Sequence, residues 1–182
     1  LEKLGIQSPR DLLYFFPRRY DDRSHFKAIA DLQPGETVTL RGKVLSVKLK
    51  PLRRIKIVEV LIGDDRGMIP AVWFNQPYLK NQFQPDQEVI FYGRVDLYQD
   101  RLQMLSPEYE FFDSDQEGIH TGRITPIYPL TEGLFQRSLR TTLREVTQTQ
   151  IDKSAHEYLS PEFRAQHQLM ELSEAIREMH FP

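Results

Sequence analysis

Residues 38–49 read Val38-Thr39-Leu40-Arg41-Gly42-Lys43-Val44-Leu45-Ser46-Val47-Lys48-Leu49. Val38, Leu40, Gly42 and Val44 fall on one face of an extended chain, and Leu45, Val47 and Leu49 take the other phase. A change of phase beside a glycine predicts a bulge, which bends one long strand so that it serves both sides of a small barrel. Working outward, Ile55–Ile62 and Met68–Phe74 are the second and third strands, joined by the turn Gly63-Asp64-Asp65-Arg66-Gly67. After an interruption at Asn75–Asp86, Glu88–Val95 and Leu102–Tyr109 are the fourth and fifth.

Five short strands with a longer link between the third and fourth fit an OB-fold barrel, with a five-stranded barrel of another topology as the competitor. Helical segments flank it. Ser8 caps a first helix, with Pro9 at its first position, Asp11 completing the capping signal and Pro17 ending it. Leu12, Leu13, Phe15 and Phe16 supply its apolar face, and Arg18–Arg23 is a charged turn read as a local salt-bridge knot. Beyond the acidic linker Asp113–Glu117 and the extended segment Thr125–Leu130, a helix runs Gln136–Ile151 with Leu139, Leu143 and Val146 at helical spacing. Another starts at Ser160-Pro161-Glu162, and a last spans Leu169–His180 with Leu172, Ala175, Ile176 and Met179 on one face. The expectation is a mainly β (α+β) chain in three parts: an N-terminal helical segment 1–33, the barrel 34–112, and a linker with C-terminal helices 113–182.

Composition narrows the chemistry. The 182 residues are 40% hydrophobic and 27% charged, enough for a packed core. The absence of cysteine excludes disulfides, thiolate catalysis and Cys-type zinc sites. No apolar run approaches a membrane span, so a soluble, cytoplasmic protein is expected; a monomer is expected as well. The chain starts at Leu1 and stops at Pro182, and a piece of a longer polypeptide is expected. The only Gly-Lys pair, Gly42-Lys43, lies inside a strand with Thr37 where the first glycine of a phosphate-binding loop belongs. His25, His120, His156, His167 and His180 form no metal-ligand spacing, and Asp64-Asp65 between two glycines reads as turn chemistry. No catalytic residue, metal or cofactor is therefore assigned to this chain.

What remains is charge and aromatics. Residues 1–60 carry 13 Lys/Arg against 7 Asp/Glu and residues 61–182 carry 11 against 19, although the overall net charge is only −2. The stretch Arg41–Lys56 has seven basic residues and no acidic one, which marks either a polyanion-facing patch or a Lys/Arg-guarded edge strand. Strand alternation puts Trp73 and Phe74 on opposite faces, so one is buried and the other stands exposed with Tyr78. Exposed rings beside the basic loop Lys48–Arg54 suit nucleic acid, rings stacking on unpaired bases while Lys48, Lys50, Arg53, Arg54, Lys56 and Lys80 neutralise phosphate. Two other readings stay open: a protein-interaction barrel docking an acidic partner tail, and an RNA-binding OB-fold.

The chain also resembles a known family. Asp11-Leu12-Leu13-Tyr14-Phe15-Phe16-Pro17-Arg18-Arg19-Tyr20-Asp21-Asp22-Arg23, Trp73-Phe74-Asn75, Ser106-Pro107-Glu108-Tyr109 and Pro126-Ile127-Tyr128-Pro129-Leu130-Thr131-Glu132-Gly133 are similar, in this order, to the N-terminal wedge domain of RecG, the bacterial ATP-dependent DNA helicase. The closing Ile176–Pro182 is similar to the family's approach to its motor. The resemblance implies an OB-fold that binds replication forks and Holliday junctions and splits strands there during fork reversal and recombinational repair. Phe74 and Tyr78 match the stacking aromatics of an F-x-x-x-Y arrangement. Trp73 is then the inward ring, kept as a second aromatic candidate. The implied partners are branched DNA, the junction's single strands and the helicase motor, in a nucleoid-associated bacterial setting, while the protein-interaction reading adds the acidic tail of a single-stranded-DNA-binding protein. ATP and Mg²⁺ belong to the motor and not to this chain.

Overall fold

The computed structural model describes residues 1–52, 55–112 and 122–182. The loop residues Arg53 and Arg54, and the linker Asp113–Glu117, therefore lie outside the described residues. In chain order the elements are α1 (Pro9–Leu13), β1 (Arg19–Asp22), β2 (Thr37–Leu52), β3 (Ile55–Gly63), β4 (Met68–Phe74), β5 (Glu88–Tyr98), β6 (Arg101–Leu105), β7 (Glu108–Phe111), β8 (Ile124–Ile127), α2 (Gln136–Ser154), α3 (Pro161–His167) and α4 (Leu172–His180). They fall into two compact units, residues 22–123 and residues 1–21 with 124–182. The two ends of the chain, separate segments in the sequence reading, thus share one unit.

In the first unit the strand order is β2-β3-β4-β6-β5, and β5 pairs back onto β2. The β4–β6 pairing is parallel and the others are antiparallel, which is the OB-fold order with β2 as its first strand. The long β2 serves both β5 (Thr37↔Arg94 to Lys43↔Glu88) and β3 (Lys43↔Gly63 to Leu52↔Ile55). It changes partner at a bulge between Val44 and Ser46, as the phase switch predicts. Gly42 is required there: a Cβ would lie 2.8 Å from the Gly63 carbonyl oxygen. Before the bulge Val38, Leu40 and Val44 are buried. After it only Val47 packs on the core, whereas Leu45 and Leu49 are exposed, so the second apolar face expected of β2 is mostly surface.

The fifth strand of the sequence reading is two strands. Ser106, at φ 46°, and Pro107 break it, so β6 pairs β4 and β5 while β7 runs along the other end of β5. The core gathers Val58, Val60, Ile62, Ile69, Ala71, Trp73, Phe91, Val95 and Met104. Leu79 and Phe83, from the segment between β4 and β5, plug it.

Arg23 corrects a second expectation. Arg19 and Asp21 do pair locally at 3.1 Å. Arg23, however, is buried and makes a bidentate pair with Glu108 at 3.0 Å on each arm, its guanidinium 3.7 Å from the Tyr92 ring centroid. Part of the presumed local knot is therefore a long-range clamp, and Arg19–Asp22 is a strand, paired with β8.

In the second unit the capping box is formed: Ser8 Oγ accepts from the Asp11 N–H, and Asp11 accepts from the Ser8 N–H at 2.9 Å. Leu12 and Leu13 are buried, but Phe16 lies exposed past the end of α1. Helix α2 buries Leu139, Leu143, Thr147 and Ile151, a stripe every four residues. Helix α3 is capped by Ser160, whose Oγ accepts from the Phe163 N–H. Helix α4 begins at Leu172, whose N–H donates to the Glu157 carboxylate, and it buries Ile176 and His180 rather than Met179. The His180 ring joins three segments: Nε2 lies 2.8 Å from the Leu13 carbonyl oxygen and Nδ1 2.7 Å from the Tyr128 hydroxyl.

Candidate functional site

The end of β4 decides which aromatic is available. Trp73 faces Val58 on the inner side and is 2% exposed, stacked on Phe83 with centroids 5.6 Å apart and edge-on to Phe91 at 5.6 Å. It is wholly committed to the core and offers no ring to a ligand. Phe74, one residue on, faces outward opposite Ile57 and is 45% exposed.

A tight turn then presents the second ring. Asn75 takes φ 56°, its N–H donating to the Lys56 carbonyl at 2.7 Å and its Oδ1 accepting from the Lys56 N–H at 3.3 Å. Asparagine tolerates this left-handed backbone, which lets the chain leave the sheet while staying tied to β3. The short 3-10 helix Pro77–Asn81 follows, anchored by buried Leu79. Tyr78 is 56% exposed, its hydroxyl donating to Gln76 Oε1 at 2.8 Å. Asn75, Leu79 and Phe83 position the pair, a role that the sequence analysis assigns to none of them. The i, i+4 spacing of Leu79 and Phe83 is the signal that could have found them.

The basic residues divide. Lys48 and Lys50 lie on the outer face of β2, and the row Lys50–Ile57–Phe74 runs across three strands of that face. Lys50 Nζ is held by Glu59 at 2.7 Å, so its charge is partly answered within the protein. Arg41 is held by Glu88 at 2.7 Å and lies 3.8 Å from the Phe112 ring centroid, and its guanidinium holds the Glu88 carboxyl below its ordinary range. Among the described residues, Lys48, Lys56 and Lys80 make no ion pair. Lys56 and Lys80 flank the Asn75 turn and the Tyr78 helix.

Gly42 and Lys43 are strand residues paired to Val89 and Gly63, so their backbone cannot wrap a phosphate. Asp64 is spent on turn geometry, accepting 2.8 Å bonds from the amides of Ile29, Arg66 and Gly67. Among the described residues no three His, Cys, Asp or Glu side chains are grouped to hold a metal. No described helix is long and apolar enough to cross a membrane.

An OB-fold that keeps one aromatic of its third strand inside, and holds the next two aromatics outside beside unpaired lysines, defines a class of surface-presenting barrel. A sequence model of the RecG wedge domain matches residues 1–150, and the chain belongs to that family. Across the whole chain it is 35% identical over 187 residues to the ATP-dependent DNA helicase RecG of Thermotoga maritima, covering 23% of that relative. It is 32% identical over 183 residues to the RecG of Escherichia coli K12, covering 26% of it. A solved structure of RecG bound to a three-way DNA junction superposes on the whole chain with a TM-score of 0.80 at 33% identity, the chain covering 25% of it. The chain thus spans about a quarter of the length of the relatives it matches.

Proposed function

We propose that this chain is the branched-DNA-binding wedge of an ATP-dependent DNA helicase, acting at replication forks and Holliday junctions during fork reversal and recombinational repair. The observation that carries the reading is the pair Phe74 and Tyr78, held outside the core by Asn75 and Leu79. In this reading the two rings cap the last base pairs at the branch, and Lys48, Lys56 and Lys80 hold phosphates, with Lys50 contributing less because of Glu59. Arg53 and Arg54 are further phosphate candidates.

The magnitudes suit a passive splitter. Unstacking one duplex step costs about 1.4 kcal/mol on average. A base stacked on an aromatic side chain recovers roughly 1–3 kcal/mol. Two rings therefore offset the opening of about one to four pairs at most, so continued unwinding requires a motor. The longer protein supplies it, with ATP and Mg²⁺ as its cofactors, while this chain carries out no catalysis of its own. The other partners are the junction's single strands and a single-stranded-DNA-binding protein, in the bacterial cytoplasm at the nucleoid, with the chain acting as a monomer.

The test is fluorescence anisotropy of labelled fork, duplex and single-stranded DNA across a salt series. Three lysine–phosphate contacts give a log–log salt slope of about −3 and a preference for the fork. Equal, salt-insensitive affinity for all three DNAs would refute the reading.

A further inference from the structure

The strands β2, β3 and β4 carry a single carboxylate among their basic and aromatic residues. No acidic residue stands between Glu36 and Glu59 in the sequence, and Glu59 is the sole Asp or Glu within these three strands. Register sets it among the lysines. Glu59 faces Lys48 directly across the β2–β3 pair and is diagonal to Lys50, whose Nζ it holds at 2.7 Å. On its other side it faces Val72 of β4. The row Lys48–Glu59–Val72 therefore lies beside the row Lys50–Ile57–Phe74, about 7 Å along the strands at 3.3–3.4 Å per residue.

The ion pair has little to do for the fold. The Lys50 side chain is 53% exposed and that of Glu59 26%, and a solvated pair contributes little stability because water already answers both charges. Val58 and Val60, on either side of Glu59, are fully buried and hold β3 in the core without it. The same exposure lets a DNA phosphate reach Lys50 by rotation of the lysine side chain alone. Carboxylate and phosphate are then rivals for one ammonium group. While Glu59 holds it, the charge is neutralised within the protein and displaces no counterion from DNA.

We propose that Glu59 is an affinity-limiting residue of the DNA-binding face, withholding Lys50 from phosphate. The inference rests on the branched-DNA reading. Phosphate contacts hold any DNA, whereas stacking on Phe74 and Tyr78 requires the unpaired bases of a branch. Keeping one lysine out of the phosphate set makes the indiscriminate grip weak while leaving the rings untouched. A passive splitter past which duplex is drawn needs backbone contacts of this kind, which break readily at each step.

The test repeats the salt series on labelled fork and duplex with Glu59→Gln, which keeps the shape of the side chain and removes its charge. Lys50 then adds a fourth phosphate contact. The log–log salt slope should steepen by about one, and affinity at 0.1 M salt should rise roughly five- to tenfold on fork and duplex alike. Glu59→Gln/Lys50→Ala should return both DNAs to wild-type affinity and slope. Unchanged affinity and slope in Glu59→Gln would make the pair a strand contact only and overturn the inference. A gain that survives the loss of Lys50 would also overturn it. Either result would leave the wedge standing, whereas a wild-type chain that binds no fork would overturn both.

Discussion

Acidification should loosen the helical unit through one buried ring. His180 is inaccessible to water, its ring centroid 5.9 Å from that of Phe16 and 5.8 Å from that of Tyr128. The Leu13 carbonyl can only accept, so Nε2 carries the proton and Nδ1 accepts from the Tyr128 hydroxyl. Burial also keeps Tyr128 a neutral donor, pushing its phenol well above the ordinary range. A second proton on His180 would bury a charge and turn the Nδ1 acceptor into a donor. Burial therefore lowers the His180 pKa below the ordinary 6.5, the bond to Leu13 opposing the shift in part. The unfolded chain then binds more protons below pH 6.5, so stability is fully present above that value and falls as pH drops toward the folded pKa. The slope is at most about 1.4 kcal/mol per pH unit, so one unit of acidification below 6.5 should cost at most about 1 kcal/mol. The carboxyls of Glu36, Asp64 and Glu88, held below ordinary values of 4.5, 3.8 and 4.5, lose their contributions at lower pH and leave this window to His180. Urea denaturation followed by the helical circular-dichroism band reads the effect. His180→Gln should lower stability by about 1–3 kcal/mol, from unmatched buried polar groups, and flatten the pH response. A His180→Gln variant as pH-sensitive as wild type would refute the reasoning.

Other expectations follow from the same contacts. Arg23→Ala should destabilise the barrel by about 3 kcal/mol, the low end for breaking a buried pair because Glu108 is partly in water; a urea midpoint unchanged from wild type would contradict it. Trp73→Ala should cost about 3–5 kcal/mol, because a ring packed on Phe83, Phe91 and Tyr109 leaves a cavity; a variant as stable as wild type in thermal denaturation would show that the ring is not core. Lys56→Glu/Lys80→Glu should weaken binding to fork and duplex alike and reduce the salt slope by about two, while Lys50→Ala does less; a loss confined to forks would contradict a phosphate role.

The parts of the fold that were legible in the sequence are those set by local rules. Ser8 and Asp11 announce their own capping box, the phase switch beside Gly42 announces the bulge, and alternation separates Trp73 from Phe74. What escaped depends on partners distant in sequence. Arg23 looks like one charge in a run until Glu108, 85 residues away, is folded against it. Lys50 looks like a free phosphate contact until strand register brings Glu59 beside it, and nothing near His180 in the sequence announces that Leu13 and Tyr128 meet at its ring. The exposed Leu45 and Leu49 have the same origin: alternation gives the face of a strand, but not whether another layer covers it. For the candidate site, alternation leaves open whether Trp73 or Phe74 is the outward ring, and the pairing of Phe74 with Tyr78 is what the family resemblance implies, whereas the turn that holds them rests on the φ of Asn75.

The most direct test of the wedge is anisotropy of the chain and its Phe74→Ala/Tyr78→Ala variant on a three-way fork and on plain duplex of equal length. Two stacking contacts at roughly 1–3 kcal/mol each should make the variant at least about 25-fold weaker on the fork. Duplex, which offers no unpaired base at the branch, should be bound as before. An equal loss on both DNAs, or no loss on the fork, would contradict the assignment of these two rings to the branch point.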